Sequence, residues 1–276
     1  MSIRVGPGSG GAAPRRGARV LLVDDDVLSQ EVGCGMLEEL GLDVRVAGDG
    51  AEAVRLAQAG GWDLVLMDMQ MPVMDGLEAT RIIRALPDCR SLPIIAMSAN
   101  AFPEDRLRCL AAGMNDQVPK PVDPAQLRAV LAEWLPVAGA GQQLAAALRP
   151  APDPVRRRDQ ETHVIDVEAG LRFFGGRTDA YHRMLQRFAQ LRSGDAGLLR
   201  SALADGDLPQ AGRIAHSLKS MAATLGATQL HGASAALEAL LEQGGAVAVS
   251  DGTDALERAL AAACRDIARI SPVPAA

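Results

Sequence analysis

The sequence predicts two domains of different class: an α/β domain with a doubly wound, parallel five-stranded sheet over residues 18–136, and an all-α helical bundle over residues 166–271. Three observations predict this. The first half alternates short β-rich runs with amphipathic helical patterns five times, which indicates a parallel sheet covered by helices on both faces. The second half shows helical periodicity and no strand signal. Between them, residues 137–165 are rich in Pro, Ala, Gly and Arg, which is linker composition.

The elements follow in order. Strand signals fall at 19–23, 43–47, 63–67, 93–97 and, weakly, 117–118. Helical patterns lie between and after them at 28–40, 51–58, 77–86, 103–112 and 124–134. In the second half, helical patterns run over 181–192, 196–204, 208–225, 229–243 and 254–270, with Gly194, Gly226 and Gly244 punctuating their ends. Residues 1–17 are Gly-, Pro- and Arg-rich without an apolar run, so they read as a disordered tail rather than a secretory signal.

Composition excludes several classes. Aromatic residues make up 3% of the chain, which argues against stacking platforms for single-stranded nucleic acid. The formal net charge of −6 argues against a binder of polyanions. There is no run of 18 apolar residues, so no membrane span is expected. Cys34, Cys89, Cys109 and Cys264 form no Cys-x-x-Cys pair and read as free thiols of a reducing, cytoplasmic compartment.

The first domain concentrates acidic residues at strand ends. The run Val20-Leu21-Leu22-Val23 leads into Asp24-Asp25-Asp26, and Leu64-Val65-Leu66-Met67 leads into Asp68. Sites in such sheets lie at the carboxyl ends of the strands. Carboxylates gathered there repel one another, and a hard divalent cation such as Mg²⁺ removes the repulsion. Helix capping is the competing use of Asp, but one cap needs one Asp and Asp68 is remote in sequence from the first cluster. Ser98 follows the fourth strand signal and Lys120 the fifth; a hydroxyl and an ammonium at the same edge suit a phosphoryl group. Met67, Met69, Met71 and Met74 read as packing residues rather than a soft-metal site.

From about Arg19 to Leu135 this constellation resembles the receiver domain of two-component response regulators. The string Leu66-Met67-Asp68-Met69-Gln70-Met71-Pro72-Val73-Met74-Asp75-Gly76, with Asp24-Asp25, Ser98 and Lys120 in order, carries the resemblance. It implies a flavodoxin-like sheet of strand order 2-1-3-4-5 and phosphorylation of Asp68 as an acyl phosphate. It implies Mg²⁺ held by Asp25, Asp68 and the backbone carbonyl of Gln70, with Asp24 helping through water. Ser98 and Lys120 would bind phosphoryl oxygens, Gln70 and Asn100 would influence acyl-phosphate lifetime, and the Lys120–Pro121 bond would be cis. Two positions depart from the family pattern. Gln117 stands where the family usually has an aromatic, and Pro119 removes a backbone donor beside the lysine.

In the second domain, a helical wheel over 208–225 places Ala211, Ile214, Leu218, Met221, Ala222 and Leu225 on one face and His216 opposite it, among Gly212, Arg213, Lys219, Ser220 and Ala223. Small residues leave room for another protein, Lys219 suits an incoming phosphoryl group, and a neutral imidazole is a competent nucleophile. The string Ala215-His216-Ser217-Leu218-Lys219, followed by Leu225-Gly226-Ala227, resembles the histidine phosphotransfer (Hpt) domain. That resemblance implies a four-helix bundle in which His216 carries phosphate, on a nitrogen the sequence does not settle, with Lys219 as the supporting cation. His163, His182 and His231 lack this setting.

Together the two resemblances imply a phosphorelay protein. Asp68 would accept a phosphoryl group from an upstream sensor histidine kinase, and His216 would exchange it with an aspartate, either its own or that of a downstream receiver protein. Two alternatives stand beside this: the receiver–Hpt end of a hybrid sensor histidine kinase, which Met1 weighs against, and a phosphate sink or docking module. No Gly-x-x-x-x-Gly-Lys-Ser/Thr loop or Gly-rich ATP lid occurs, so the expected activity is phosphotransfer without an ATP-consuming kinase, and no DNA-reading domain is expected. The linker would span roughly 30 Å as a coil, enough for transfer within one chain. Residues 18–136 carry 10 basic and 19 acidic groups (net −9), so they would attract the Arg213/Lys219 face.

Overall fold

The structure is a computed structural model, and it describes residues 17–98, 103–135, 164–243 and 246–272. The expected tail, Asn100, His163, Gly244 and nearly all of the expected linker lie outside the described residues. The chain divides into two compact units, one built on a sheet and one all-helical.

In the first unit the order is β1 (Arg19–Val23), α1 (Val27–Glu39), β2 (Asp43–Ala47), α2 (Gly50–Ala59), β3 (Leu64–Asp68), α3 (Gly76–Ala85), β4 (Ile94–Ser98), α4 (Pro103–Ala112), β5 (Asp116–Pro119) and α5 (Pro124–Trp134). The sheet order is β2-β1-β3-β4-β5, and the pairings resolved between β2 and β4 are all parallel. Every residue of β3 and β4 is buried, as expected of strands covered on both faces, whereas the edge strand β2 alternates. The expected third and fourth strands begin one residue later and end one residue later, so Asp68 and Ser98 close their strands instead of following them. The four methionines behave as packing residues: Met67 and Met71 are buried in the core, with Met69 and Met74 packed against it.

A 3₁₀ turn at Pro87–Cys89, unforeseen in sequence, connects α3 to β4. It is held by Arg84. The guanidinium donates to the carbonyls of Gly113 (2.8 Å), Cys89 (2.9 Å) and Leu92 (2.7 Å) and to Asn115 Oδ1 (2.7 Å). Asn115 Oδ1 also accepts from the Ile94 amide at 2.9 Å. One side chain thus ties α3, the turn, β4 and the loop after α4 at the amino end of the sheet.

The second unit contains α6 (Val167–Leu171), α7 (Thr178–Arg192), α8 (Asp195–Ala204), α9 (Leu208–Leu225), α10 (Thr228–Gln243) and α11 (Ala246–Ile270). Helix α7 packs on α9, α9 on α10, α10 on α11 and α11 on α7, which closes a four-helix ring. The wheel's apolar face of α9 is buried at every position, and Ala215 and Thr224 widen it. Gly226 ends α9 in the left-handed conformation (φ 78°), and a Cβ there would lie 2.1 Å from the Asp166 carbonyl oxygen. The start of the domain is anchored at the same place: Asp166 N–H donates to the Gly226 carbonyl, and the Tyr181 hydroxyl donates to that of Leu225 at 2.8 Å. Buried Ile165, inside the stretch of linker composition, donates its amide to Asp266 at 3.0 Å.

Candidate functional site

The strand register brings the first site together. Val23 pairs with Met67, so the next residues, Asp24 and Asp68, come side by side; Asp68 in turn pairs with Met97, next to Ser98. Carboxylate oxygens of Asp24, Asp25 and Asp68 all lie within 4.8 Å of one another. Asp24 and Asp68 are 2% and 3% exposed, and Asp25 is open to solvent. Two buried carboxylates with a third at the rim form an all-oxygen donor set, which fits a hard cation such as Mg²⁺. Asp26 does a different job: its Oδ1 accepts from the amides of Leu28 and Ser29, both at 2.9 Å, and caps α1.

The loop after β3 is tightly held. Asp68 Oδ1 accepts from the Gln70 amide at 3.2 Å. Gly76 N–H donates to the Met69 carbonyl at 3.1 Å, and a Cβ on Gly76 would lie 2.0 Å from the Asp68 carbonyl oxygen, so only glycine fits there. Asp75 caps α3 by accepting from the Glu78 amide at 2.7 Å. Ser98, 3% exposed, closes β4 beside this loop, and half-buried Lys120 follows β5. The Lys120–Pro121 bond is cis, as the resemblance implied. Gln117 is half-buried, and its Oε1 has no hydrogen-bond partner.

The second site contains a residue that sequence reasoning missed. Glu238, on α10, accepts from His216 Nδ1 at 2.6 Å through Oε1 and from Lys219 Nζ through Oε2. The wheel set His216 opposite the buried face, yet its side chain retains only 15% exposure, because a single-helix projection carries nothing of neighbouring structure. Burial pushes the Glu238 carboxyl up, but hydrogen bonds and charge from His216 and Lys219 outweigh it and hold the carboxyl below its ordinary value. An ionised carboxylate only accepts, so Nδ1 carries a proton in this contact and Nε2 is the ring nitrogen turned away from Glu238. His231 has a structural bond: its Nδ1 donates to the Lys219 carbonyl at 3.1 Å. The one sequence signal for Glu238 was an acidic residue inside the 229–243 helical pattern, and two unplaced helices do not reveal which side chains meet.

Comparison with known proteins agrees with both halves. Residues 20–132 match the response regulator receiver domain and residues 183–266 match the Hpt domain. Over 247 residues the chain is 35% identical to the sensor protein GacS of Pseudomonas syringae pv. syringae, covering 87% of this chain and 26% of GacS. It is 32% identical over 167 residues to the signal transduction histidine-protein kinase BarA of Escherichia coli K12, covering 60% of this chain and 18% of BarA. Among solved structures, the receiver domain of the sensor histidine kinase PA1611 from Pseudomonas aeruginosa, with a magnesium ion in its active-site cleft, is 47% identical (TM-score 0.41, covering 43% of this chain and 97% of that one).

The class is therefore a two-component protein of receiver–Hpt architecture. The chain carries a response regulator receiver domain followed by an Hpt domain, homologous to the corresponding parts of hybrid sensor histidine kinases. It spans about a quarter of the length of GacS. No described helix is long and apolar enough to cross a membrane.

Proposed function

We propose that the chain is a phosphorelay component in which Asp68 accepts a phosphoryl group from a phosphohistidine and His216 exchanges one with an aspartate. The observation that supports this best is the Asp24–Asp25–Asp68 cluster at the carboxyl edge of the sheet. A carboxylate oxygen of Asp68 attacks phosphorus as the P–N bond of the donor imidazole breaks, giving an acyl phosphate and a free imidazole that takes up a proton. Asp24, Asp25, Asp68 and the Gln70 carbonyl would hold Mg²⁺, which when bound offsets the negative charge of carboxylates and phosphoryl oxygens. The Ser98 hydroxyl and the Lys120 ammonium would donate to those oxygens. The test is labelling of the full chain by a small acyl phosphate: base-labile label at Asp68 is expected with Mg²⁺, lost with chelator and restored by added Mg²⁺. Label that persists at full rate under chelation would contradict the metal's part.

At the second site, Glu238 directs Nε2 of His216 toward phosphorus and offsets the positive charge that grows on the ring. Lys219, already at Glu238, stands ready for phosphoryl oxygens. Phosphorylation would thus fall on Nε2. Glu238→Gln should slow transfer through His216 by roughly 10–100-fold, the equivalent of the ~1.5–3 kcal/mol of a charged hydrogen bond. The sign of the pH effect follows from the lowered carboxyl. Its contribution to bundle stability is present above the ordinary carboxylate range and is lost as pH falls through the folded-state value. Acid unfolding of the Glu238→Gln chain should therefore lack that component; an unchanged transfer rate and acid profile would contradict the role of Glu238.

The upstream partner is, in this reading, a sensor histidine kinase, and the downstream partner the receiver of another protein or of this chain. Cytoplasmic location and the domain limits 18–136 and 166–271 belong to the same proposal.

A further inference from the structure

The Ser220 hydroxyl is buried and meets no hydrogen-bond partner among the described residues. A hydroxyl on a helix has a ready partner, the carbonyl four residues earlier. Thr80, Thr224 and Thr253 each use it, at 2.7, 3.1 and 2.7 Å. Ser220 leaves the His216 carbonyl untaken. A buried hydroxyl without a partner is costly and calls for a reason. Ser234 Oγ on α10 is unpaired too, but that residue is sealed at 0% exposure. Ser220 is only half-buried and belongs to the face that carries His216.

The position of Ser220 supplies the reason. Lys219 and Ser220 stand three and four residues after His216 on α9, so both are its neighbours on one helix face. Helical side chains lean toward the amino end, which tilts Ser220 toward His216. The backbone here is pinned: the Thr224 hydroxyl donates to the Ser220 carbonyl and His231 to the Lys219 carbonyl, both at 3.1 Å. Rotation about the Ser220 Cα–Cβ bond is the freedom that remains.

We propose that Ser220 is a phosphoryl-binding residue of the Hpt site, whose hydroxyl donates to an oxygen of the phosphoryl group arriving at His216. This role rests on the phosphohistidine reading above. As the P–N bond forms at Nε2, the P–O bond to the donor aspartate breaks and its electron pair leaves with the carboxylate; Ser220 keeps its proton throughout. A phosphoryl group carries more oxygens than one ammonium, already shared with Glu238, can serve. Ser220 and Lys219 together form the same donor pair, hydroxyl and ammonium, as Ser98 and Lys120 in the receiver. Because the hydroxyl is unpaired at rest, its bond to the phosphoryl group replaces none and favours the arriving group over the empty site.

The test loads His216 directly with phosphoramidate, in full-length Asp68→Asn chains so that no label passes through the receiver. Ser220→Ala in that chain should load about 10-fold more slowly, as for loss of one hydrogen bond to a charged group. Its melting temperature should not fall, since a methyl takes the place of an unpaired buried hydroxyl. Ser220→Thr, which keeps the hydroxyl, should recover most of the rate. Equal loading with and without Ser220→Ala, or a Ser220→Thr chain as slow as Ser220→Ala, would overturn the role of Ser220 alone. A folded Asp68→Asn chain that takes up no acid-labile label on His216 would overturn the phosphohistidine reading and the role of Ser220 with it.

Discussion

Asp68→Asn is expected to reduce acyl-phosphate formation by more than about 10³-fold, since removing the nucleophile of a covalent mechanism leaves only binding and charge effects. The amide nitrogen of Asn is not nucleophilic, and the shape of the side chain is kept. Stability should not fall. The substitution removes one of three negative charges whose oxygens lie within 4.8 Å, so repulsion in the folded state decreases. Loss of labelling with an equal or higher unfolding midpoint therefore separates chemistry from folding. A variant that still forms base-labile phosphate at the parent rate would show that another carboxylate is the acceptor.

The second large effect is on stability, far from the chemistry. Arg84→Met should destabilise the sheet domain by roughly 2–4 kcal/mol, because it leaves several partly buried acceptors unpaired at once. Burial holds the Arg84 guanidinium below its ordinary pKa, yet it donates to three carbonyls and one amide oxygen rather than to a carboxylate. Arg84→Lys should recover little, since an ammonium does not reach four acceptors in a fixed planar fork. Urea unfolding of the full chain, followed by a probe in each domain, measures this. The Hpt transition should keep its midpoint while the receiver transition moves; a shift below about 0.5 kcal/mol would contradict the clamp.

What the sequence made legible follows from what is local. The β-rich runs ending in Asp24, Asp68 and Ser98 could be read because strand position and residue type are both local, and the parallel register then brings them to one edge with no further information. The apolar stripe of α9 was equally legible, since 3.6-residue periodicity is a property of one helix. Glu238 and Arg84 were not. Each acts across a distance in sequence, on groups of another element, and pattern within one segment carries nothing about that pairing. The left-handed Val73 was hidden for another reason: local preference argues against it, and only the fixed flanks of its loop impose it. The short helix α6 and the 3₁₀ turn are too brief to show a period.

The central claim is that Asp68 and His216 both carry phosphoryl groups. The most direct measurement is a time course of labelling of the full chain by a small acyl phosphate with Mg²⁺, resolved into base-labile and acid-labile pools, for the parent, Asp68→Asn and His216→Gln. The relay predicts base-labile label first and acid-labile label later in the parent. Asp68→Asn should lose both, and His216→Gln should keep only the base-labile pool. A folded parent chain that takes up no base-labile label, or acid-labile label that survives Asp68→Asn at full rate, would contradict it.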